Sequence, residues 1–142
     1  MTSVHEVMSA VPVTVTPSTS LTDLLTLFDR HDYNAFPVVG QGGELVGIVS
    51  KLDVLRRFVA GAGKPGNLEE GVSAADLMQQ EVVSVPAEDS LADAGGLMVG
   101  ANLRSVPVTH GRDAGARLVG MLSRGDVLRG LRLQLDAGQS SG

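Results

Sequence analysis

The chain repeats itself, and this limits its possible folds more than any other feature. Displaced by 70 residues, Ser3, Met8, Val13 and Val15 fall on Ser73, Met78, Val83 and Val85. Ser20, Leu21, Asp23 and Leu27 fall on Ser90, Leu91, Asp93 and Leu97, and Pro37-Val38 falls on Pro107-Val108. These are ten identities within the 37 positions 3–39. A displacement of 73 then superposes Leu45-Val46-Gly47, Ser50 and Asp53-Val54-Leu55-Arg56 on Leu118-Val119-Gly120, Ser123 and Asp126-Val127-Leu128-Arg129. The three extra residues lie within Gly40–Glu44 of the first copy and His110–Arg117 of the second. A hairpin loop absorbs such an insertion at little cost. A period of this kind marks one supersecondary unit used twice.

Both copies show the same order of elements. A helical turn starts near Ser3 and Ser73, and short strands follow by alternation at Val13-Thr14-Val15 and Val83-Ser84-Val85. Ser20 and Ser90 each precede a helix, with Asp23 and Asp93 three residues on. Leu21, Leu24, Leu25 and Phe28 form the apolar stripe of the first of these helices, and Leu91, Ala94 and Met98 that of the second. Two strands then flank a Gly-rich turn, at Ala35–Val39 and Leu45–Val49 in the first copy, as an antiparallel hairpin requires. A closing helix carries Leu52, Leu55, Phe58 and Val59, and its counterpart Val127, Leu128, Leu131 and Leu135. The expected fold is α/β (α+β): two β-α-β-β-α repeats packed sheet to sheet with pseudo-twofold symmetry. A single repeat of this size is marginal alone, and two copies stacking their sheets face to face would bury a common surface and leave clefts at the seam. The expected boundaries are 1–60 for the first repeat, 61–72 for a Gly-rich linker, 73–135 for the second repeat and 136–142 for a disordered Gly/Ser-rich tail.

Composition removes several classes of function. The net charge is −5, and residues 1–72 and 73–142 both carry more Asp and Glu than Lys and Arg. Nucleic-acid binding draws on many cations to displace counterions, so it is not expected. There is no cysteine, which excludes disulfides, cysteine nucleophiles and thiolate zinc sites. His5, His31 and His110 lack ligand spacing, so no metal site is expected. Asp29-x-x-Asp32 reads as a solvated helix end. No phosphate loop, nucleophile elbow or Ser-His-Asp set is present, so no catalytic residue is assigned. No apolar run approaches the roughly 20 residues that span a bilayer, and the start does not read as a signal peptide. A cytoplasmic, non-membrane protein is expected.

The strongest local signal is Gly47-Ile48-Val49-Ser50-Lys51-Leu52-Asp53, which recurs as Gly120-Met121-Leu122-Ser123-Arg124-Gly125-Asp126. Ser-x-x-Asp is first of all a helix capping box, and the chain uses Ser-x-x-Asp/Glu from Ser3, Ser20, Ser50, Ser73, Ser90 and Ser123. A ligand site is the other open reading. A strand-to-helix junction presents free N–H groups and the positive end of the helix dipole to a phosphate. Lys51 or Arg124 follows each motif serine, and a cation strengthens anion binding. Asp53 and Asp126 suit the vicinal hydroxyls of a ribose.

These repeats resemble the CBS domain, named for cystathionine β-synthase. The matching pieces are Val7-Met8 and Leu77-Met78, Pro12-Val13-Thr14-Val15, Phe36-Pro37-Val38-Val39 and Val106-Pro107-Val108-Thr109, and the Leu-Val-Gly-x-x-Ser-x-x-Asp-Val-Leu-Arg run in both copies. The resemblance covers nearly the whole chain. It implies one module of two motifs, often a homodimer, with two candidate clefts between the motifs for an adenosine ligand. It places Ser50 and Lys51, and Ser123 and Arg124, at phosphate, and Asp53 and Asp126 at ribose. Adenine is implied beside Val13 and Ala35, Phe36 and Pro37 in one copy, and beside Val83 and Ser105, Val106 and Pro107 in the other. AMP, ADP, ATP, NADH and S-adenosylmethionine all offer that adenosine, as ligand rather than required cofactor. Asn34 aligned with Arg104, and Leu52 with Gly125, make the copies unequal. Arg104 reads as a phosphate contact or as a solvated loop residue.

The leading expectation is therefore a non-enzymatic nucleotide sensor that signals to an effector protein. The alternative is a ligand-free dimerisation scaffold using the apolar faces of the closing helices. A small nucleotide-processing enzyme is the third reading, and it lacks an identifiable base or nucleophile.

Overall fold

Alternating helix and strand signals become twelve elements in the computed structural model, which describes residues 2–10, 13–61 and 71–140. They are α1 (Val4–Val7), β1 (Ser9–Ala10), α2 (Leu21–Arg30), β2 (Ala35–Val39), β3 (Leu45–Ser50), α3 (Lys51–Ala60), α4 (Ala74–Leu77), β4 (Val85–Pro86), α5 (Leu91–Gly100), β5 (Ser105–Thr109), β6 (Leu118–Ser123) and α6 (Arg124–Ser140). The mixed α/β class is as the periodicity implies. Among the described residues no helix is long and apolar enough to cross a membrane.

The chain divides into two compact units, and these are not the two sequence repeats. The first unit is Val13–Val82; the second joins Met1–Pro12 to Val83–Gly142. Each unit thus contains the body of one repeat and the leader of the other. The boundaries expected at 60 and 73 follow sequence likeness, whereas compactness divides the chain near 12 and 82.

In the first unit, β2 and β3 pair antiparallel, with Ala35 opposite Ser50 and Pro37 opposite Ile48. The turn between them closes with Gly40 N–H donating to the Glu44 carbonyl at 2.9 Å, and Gly43 takes φ 81°, which favours glycine. Pro37 lies inside the strand without harm. Its missing N–H would face Val15, where only its carbonyl is used, accepting from Val15 N–H at 3.0 Å. On the other side of the hairpin, Ile48 and Gln79 exchange two backbone bonds of 3.0 and 2.9 Å. Val15, Leu24, Phe36, Val38, Val49 and Val54 fill the core together with Val72, Ala74 and Leu77 of the second repeat's leader.

The second unit repeats this plan as a four-stranded sheet in the order β1-β6-β5-β4. β1 comes from the first repeat's leader and pairs antiparallel with β6, Ser9 facing Met121 and Ala10 facing Gly120. Val4 and Val7 are buried in the core with Leu91, Ala94, Met98, Val106, Val108 and Leu122. Each leader crosses its sheet at the glycine of the Leu-Val-Gly segment. A Cβ on Gly120 would sit 2.6 Å from Met8 Sδ and 2.7 Å from the Ser9 carbonyl oxygen. One on Gly47 would sit 2.7 Å from Met78 Sδ and 3.0 Å from the Gln79 carbonyl oxygen. The repeated methionine and the repeated glycine are therefore two halves of one contact.

Two expectations change. The first strands are shorter than Val13–Val15 and Val83–Val85. Val15 makes a single parallel bridge to Val38, and β4 begins at Val85, because pairing with the Pro-Val strand starts only there. The tail expected to be disordered from 136 is helical as far as Ser140. Asp136 lies four residues from Arg132 at 4.0 Å, and Ala137 and Gln139 are good helix formers, so Gly138 does not end α6. The linker expected at 61–72 falls largely on 62–70, outside the described residues.

Overpacking at the glycine crossing gives a direct test. Gly120→Ala should lower stability by about 1–3 kcal/mol. In urea denaturation the midpoint should fall while the slope stays unchanged.

Candidate functional site

The last strand of each hairpin runs into a helix without a loop, because the motif serine ends the strand and caps the helix at once. Ser50 has φ −112° and ψ 163°, extended values that bring its side chain over the first turn of α3. Its hydroxyl accepts from Asp53 N–H at 3.0 Å, and its own N–H donates to Asp53 Oδ2 at 2.8 Å. Ser123 and Asp126 form the same pair, with Asp126 N–H donating to Ser123 Oγ at 3.1 Å and Ser123 N–H to Asp126 Oδ2 at 2.8 Å. Both motif pairs are thus full capping boxes, as Ser3 with Glu6 and Ser73 with Asp76 are. Ser20 and Ser90 act as simple caps to Asp23 and Asp93.

What separates the two motif junctions is the second carboxylate oxygen. Asp53 Oδ1 accepts from Gln79 Nε2 at 3.1 Å, a neutral amide on the other repeat's leader. Asp126 Oδ1 accepts from Arg129 Nη2 at 2.8 Å, one helical turn further on. The same Nη2 donates to the Val7 carbonyl at 2.9 Å, so Arg129 ties α6 to the first repeat's leader. The Asp126 side chain is only 9% exposed. Asp53 is half-buried and Gln79 exposed.

The cations differ as well. Lys51 is exposed, and its N–H donates to the Asn34 carbonyl. Arg124 folds back over the end of α5, where Nε donates to the Leu103 carbonyl at 2.8 Å and Nη2 to Asn102 Oδ1 at 3.2 Å. Asn102, at φ 53°, ends that helix in the left-handed region that Asn tolerates. Arg124 therefore braces the turn that follows α5. The Arg104 carbonyl accepts the Arg124 N–H, and the Arg104 side chain is exposed.

The strand residues are brought to these junctions to different degrees. Ala35 lies opposite Ser50, and Ser105 opposite Ser123, in the two hairpins. Phe36 and Val106 are wholly buried in their cores, and Pro37 and Pro107 are likewise buried. Phe36 and Val106 belong to the cores of their units. Val13 packs on the first unit's core, while Val83 lies before β4 and is 42% exposed. Gln79 and Arg129 were not singled out in the sequence. Arg129 had a signal, since it stands three residues after Asp126 on a helix. Gln79 lies 26 residues from Asp53 and had none.

Two other places hold chemistry or space. His31 caps α2 and stacks on Tyr33 at 5.4 Å, beside Phe36. Between α5 and α6 lies an apolar groove of about 490 Å³, lined by Gly95, Met98, Val99, Asn102, Arg124, Val127 and Leu128. In the first repeat Leu25 and Phe28 stand at the positions of Gly95 and Met98. Among the described residues no group of three His, Cys, Asp or Glu could hold a metal ion.

The family model of the CBS domain matches residues 4–60 and 74–133. The CBS domain-containing protein YhcV of Bacillus subtilis (strain 168) is 31% identical over 127 residues, 89% of this chain and 84% of YhcV. Among solved structures, CBSX2 in complex with AMP superposes with a TM-score of 0.79 at 30% identity, over 96% of this chain and 99% of that one. Hypoxic Response Protein I, solved with two coordinated zinc ions, superposes with a TM-score of 0.73 at 27% identity, over 91% and 98%.

Asp126→Ala removes a capping partner and the ion pair beneath α6, and should cost about 1–3 kcal/mol. Asp53→Ala removes a cap and a neutral contact, and should cost about 1 kcal/mol. Paired chemical melts of the two variants measure that order.

Proposed function

The chain belongs to the CBS domain family, and on that premise we propose that it is a regulatory module, not an enzyme, that binds an adenosine-containing ligand and signals its presence to a partner protein. One observation carries the reading. Two Ser-x-x-Asp junctions, each with a cation directly after its serine, recur in a fold shared at 30% identity with CBSX2, which was solved in complex with AMP. At each junction an N–H-rich helix start favours phosphate, and a carboxylate favours a vicinal diol. AMP is the proposed ligand. ADP, ATP, NADH and S-adenosylmethionine share its adenosine and are the natural competitors. For a sensor the ligand must bind one conformation better than another, and that difference is what a partner would read.

A second reading rests on a separate observation. α5 is apolar on nearly all sides, its Val99 is 83% exposed beside Leu128 at 65%, and Leu131 on α6 is 47% exposed. A helix apolar all round belongs in an interior. A homodimer formed through α5 and α6 would supply one, as a scaffold that needs no ligand. Val99→Asp should then convert dimer to monomer in analytical ultracentrifugation while leaving the circular dichroism spectrum unchanged.

A thermal-shift series with AMP, ADP, ATP, NADH and S-adenosylmethionine, and with GMP as control, separates the readings. A ligand at 100 times its Kd adds about 2.7 kcal/mol. For a chain of this length the melting point should rise by about 3–8 °C. AMP should raise it and GMP should not, and the double variant Asp53→Ala, Asp126→Ala should remove the effect. A flat response from nucleotide-free protein would sink the sensor and leave the scaffold.

A further inference from the structure

We infer that the two motif carboxylates have different tasks: Asp53 is the ribose acceptor of the one strong ligand site, and Asp126 is a structural pin that Arg129 keeps from the ligand. This rests on the adenosine-binding reading above and says which junction carries it.

The argument is an exchange of partners. A ribose that seats both hydroxyls on the carboxylate oxygen not used by the cap fills that oxygen's two lone-pair sites and displaces whatever holds it. At Asp53 that partner is Gln79 Nε2, at 3.1 Å and exposed. Two ribose hydroxyls would replace one neutral donor, and the carboxylate would keep its cap to Ser50 throughout. At Asp126 the partner is a guanidinium at 2.8 Å. Neutral hydroxyls would have to replace a charge-assisted bond beside a side chain only 9% exposed. The buried charge would then lose its counterion, which is the costly outcome for a carboxylate out of water. Arg129 is itself held in place by the Val7 carbonyl, so it does not swing aside freely.

The phosphate side agrees independently. Lys51 has no side-chain partner among the described residues and is exposed at the start of α3. Arg124 spends Nε and Nη2 on Leu103 and Asn102 in the turn after α5. A phosphate at Ser50 gains a free cation, whereas one at Ser123 must compete for a cation already bound to the turn after α5. Arg56, the counterpart of Arg129, makes no bond to Asp53 among the described residues, so the shared Asp-Val-Leu-Arg run conceals this difference.

Isothermal titration calorimetry of the full chain with AMP tests it. We expect one AMP per chain. Asp53→Asn, which keeps an oxygen for the Ser50 cap, should weaken binding at least tenfold. Arg129→Gln should admit a second AMP by freeing Asp126. Two equal sites in the natural chain, or tight binding retained in Asp53→Asn, would overturn the assignment while leaving the sensor reading intact. A folded Arg129→Gln protein that still binds one AMP would remove Arg129 as the block. No AMP heat in the natural chain would overturn the sensor reading and this assignment together. If Arg129→Gln does not fold, the count in the natural chain and the response of Asp53→Asn still decide.

Discussion

Everything in this fold depends on a leader segment lying across a glycine. Met8 rests on Gly120 and Met78 on Gly47, so close that no side chain fits beneath either one. That contact brings α1 and β1 onto the second repeat's body and the α4 segment onto the first repeat's body. It gives each hairpin an outer partner, and it adds Val4 and Val7 to one core and Val72, Ala74 and Leu77 to the other. A hairpin with two helices buries too little apolar surface to stand alone. The borrowed leader supplies what each lacks.

The same crossing shapes the candidate sites. Gln79, which holds Asp53, belongs to one leader, and Val7, whose carbonyl holds Arg129, belongs to the other. A single architectural device therefore places a soft partner beside one motif carboxylate and a charged, anchored one beside its counterpart. The near-identity of the Ser-x-x-Asp-Val-Leu-Arg runs hides an asymmetry that arises from their surroundings and from the change of Lys51 to Arg124 within the run.

Much of this was legible beforehand, for identifiable reasons. The helix starts were readable because Ser followed three residues later by Asp or Glu names the N–H groups that it will satisfy. The hairpin was readable from the Gly-rich turn between apolar runs. The exchange of leaders was not, because a repeat shows which segments are alike and is silent on which copy each one pairs with. Val13 and Val83 showed strand-like alternation but lacked a partner at their own positions. The helical reach to Ser140 was masked by Gly138 and the Ser/Gly ending, whose cost of roughly 1 kcal/mol for a mid-helix glycine is smaller than it looks in a composition. Of the candidate site, the serines, aspartates and following cations were readable as a group. Their inequivalence was not, since it lies in the long-range Gln79 contact and in the direction taken by the Arg124 side chain.

The exchanged leaders also bear on how such a chain could have arisen. A half-length forebear carrying one leader and one body could not lay that leader across its own sheet in the arrangement seen here. It would have to lend the segment to a sister molecule and receive one back, completing two bodies at once. Gene duplication and fusion would then have joined two already interlocked subunits and replaced a concentration-dependent assembly with an intramolecular one. Two copies joined in one chain can differ, and here Arg129 ties α6 to a leader while its counterpart Arg56 makes no bond to Asp53 among the described residues.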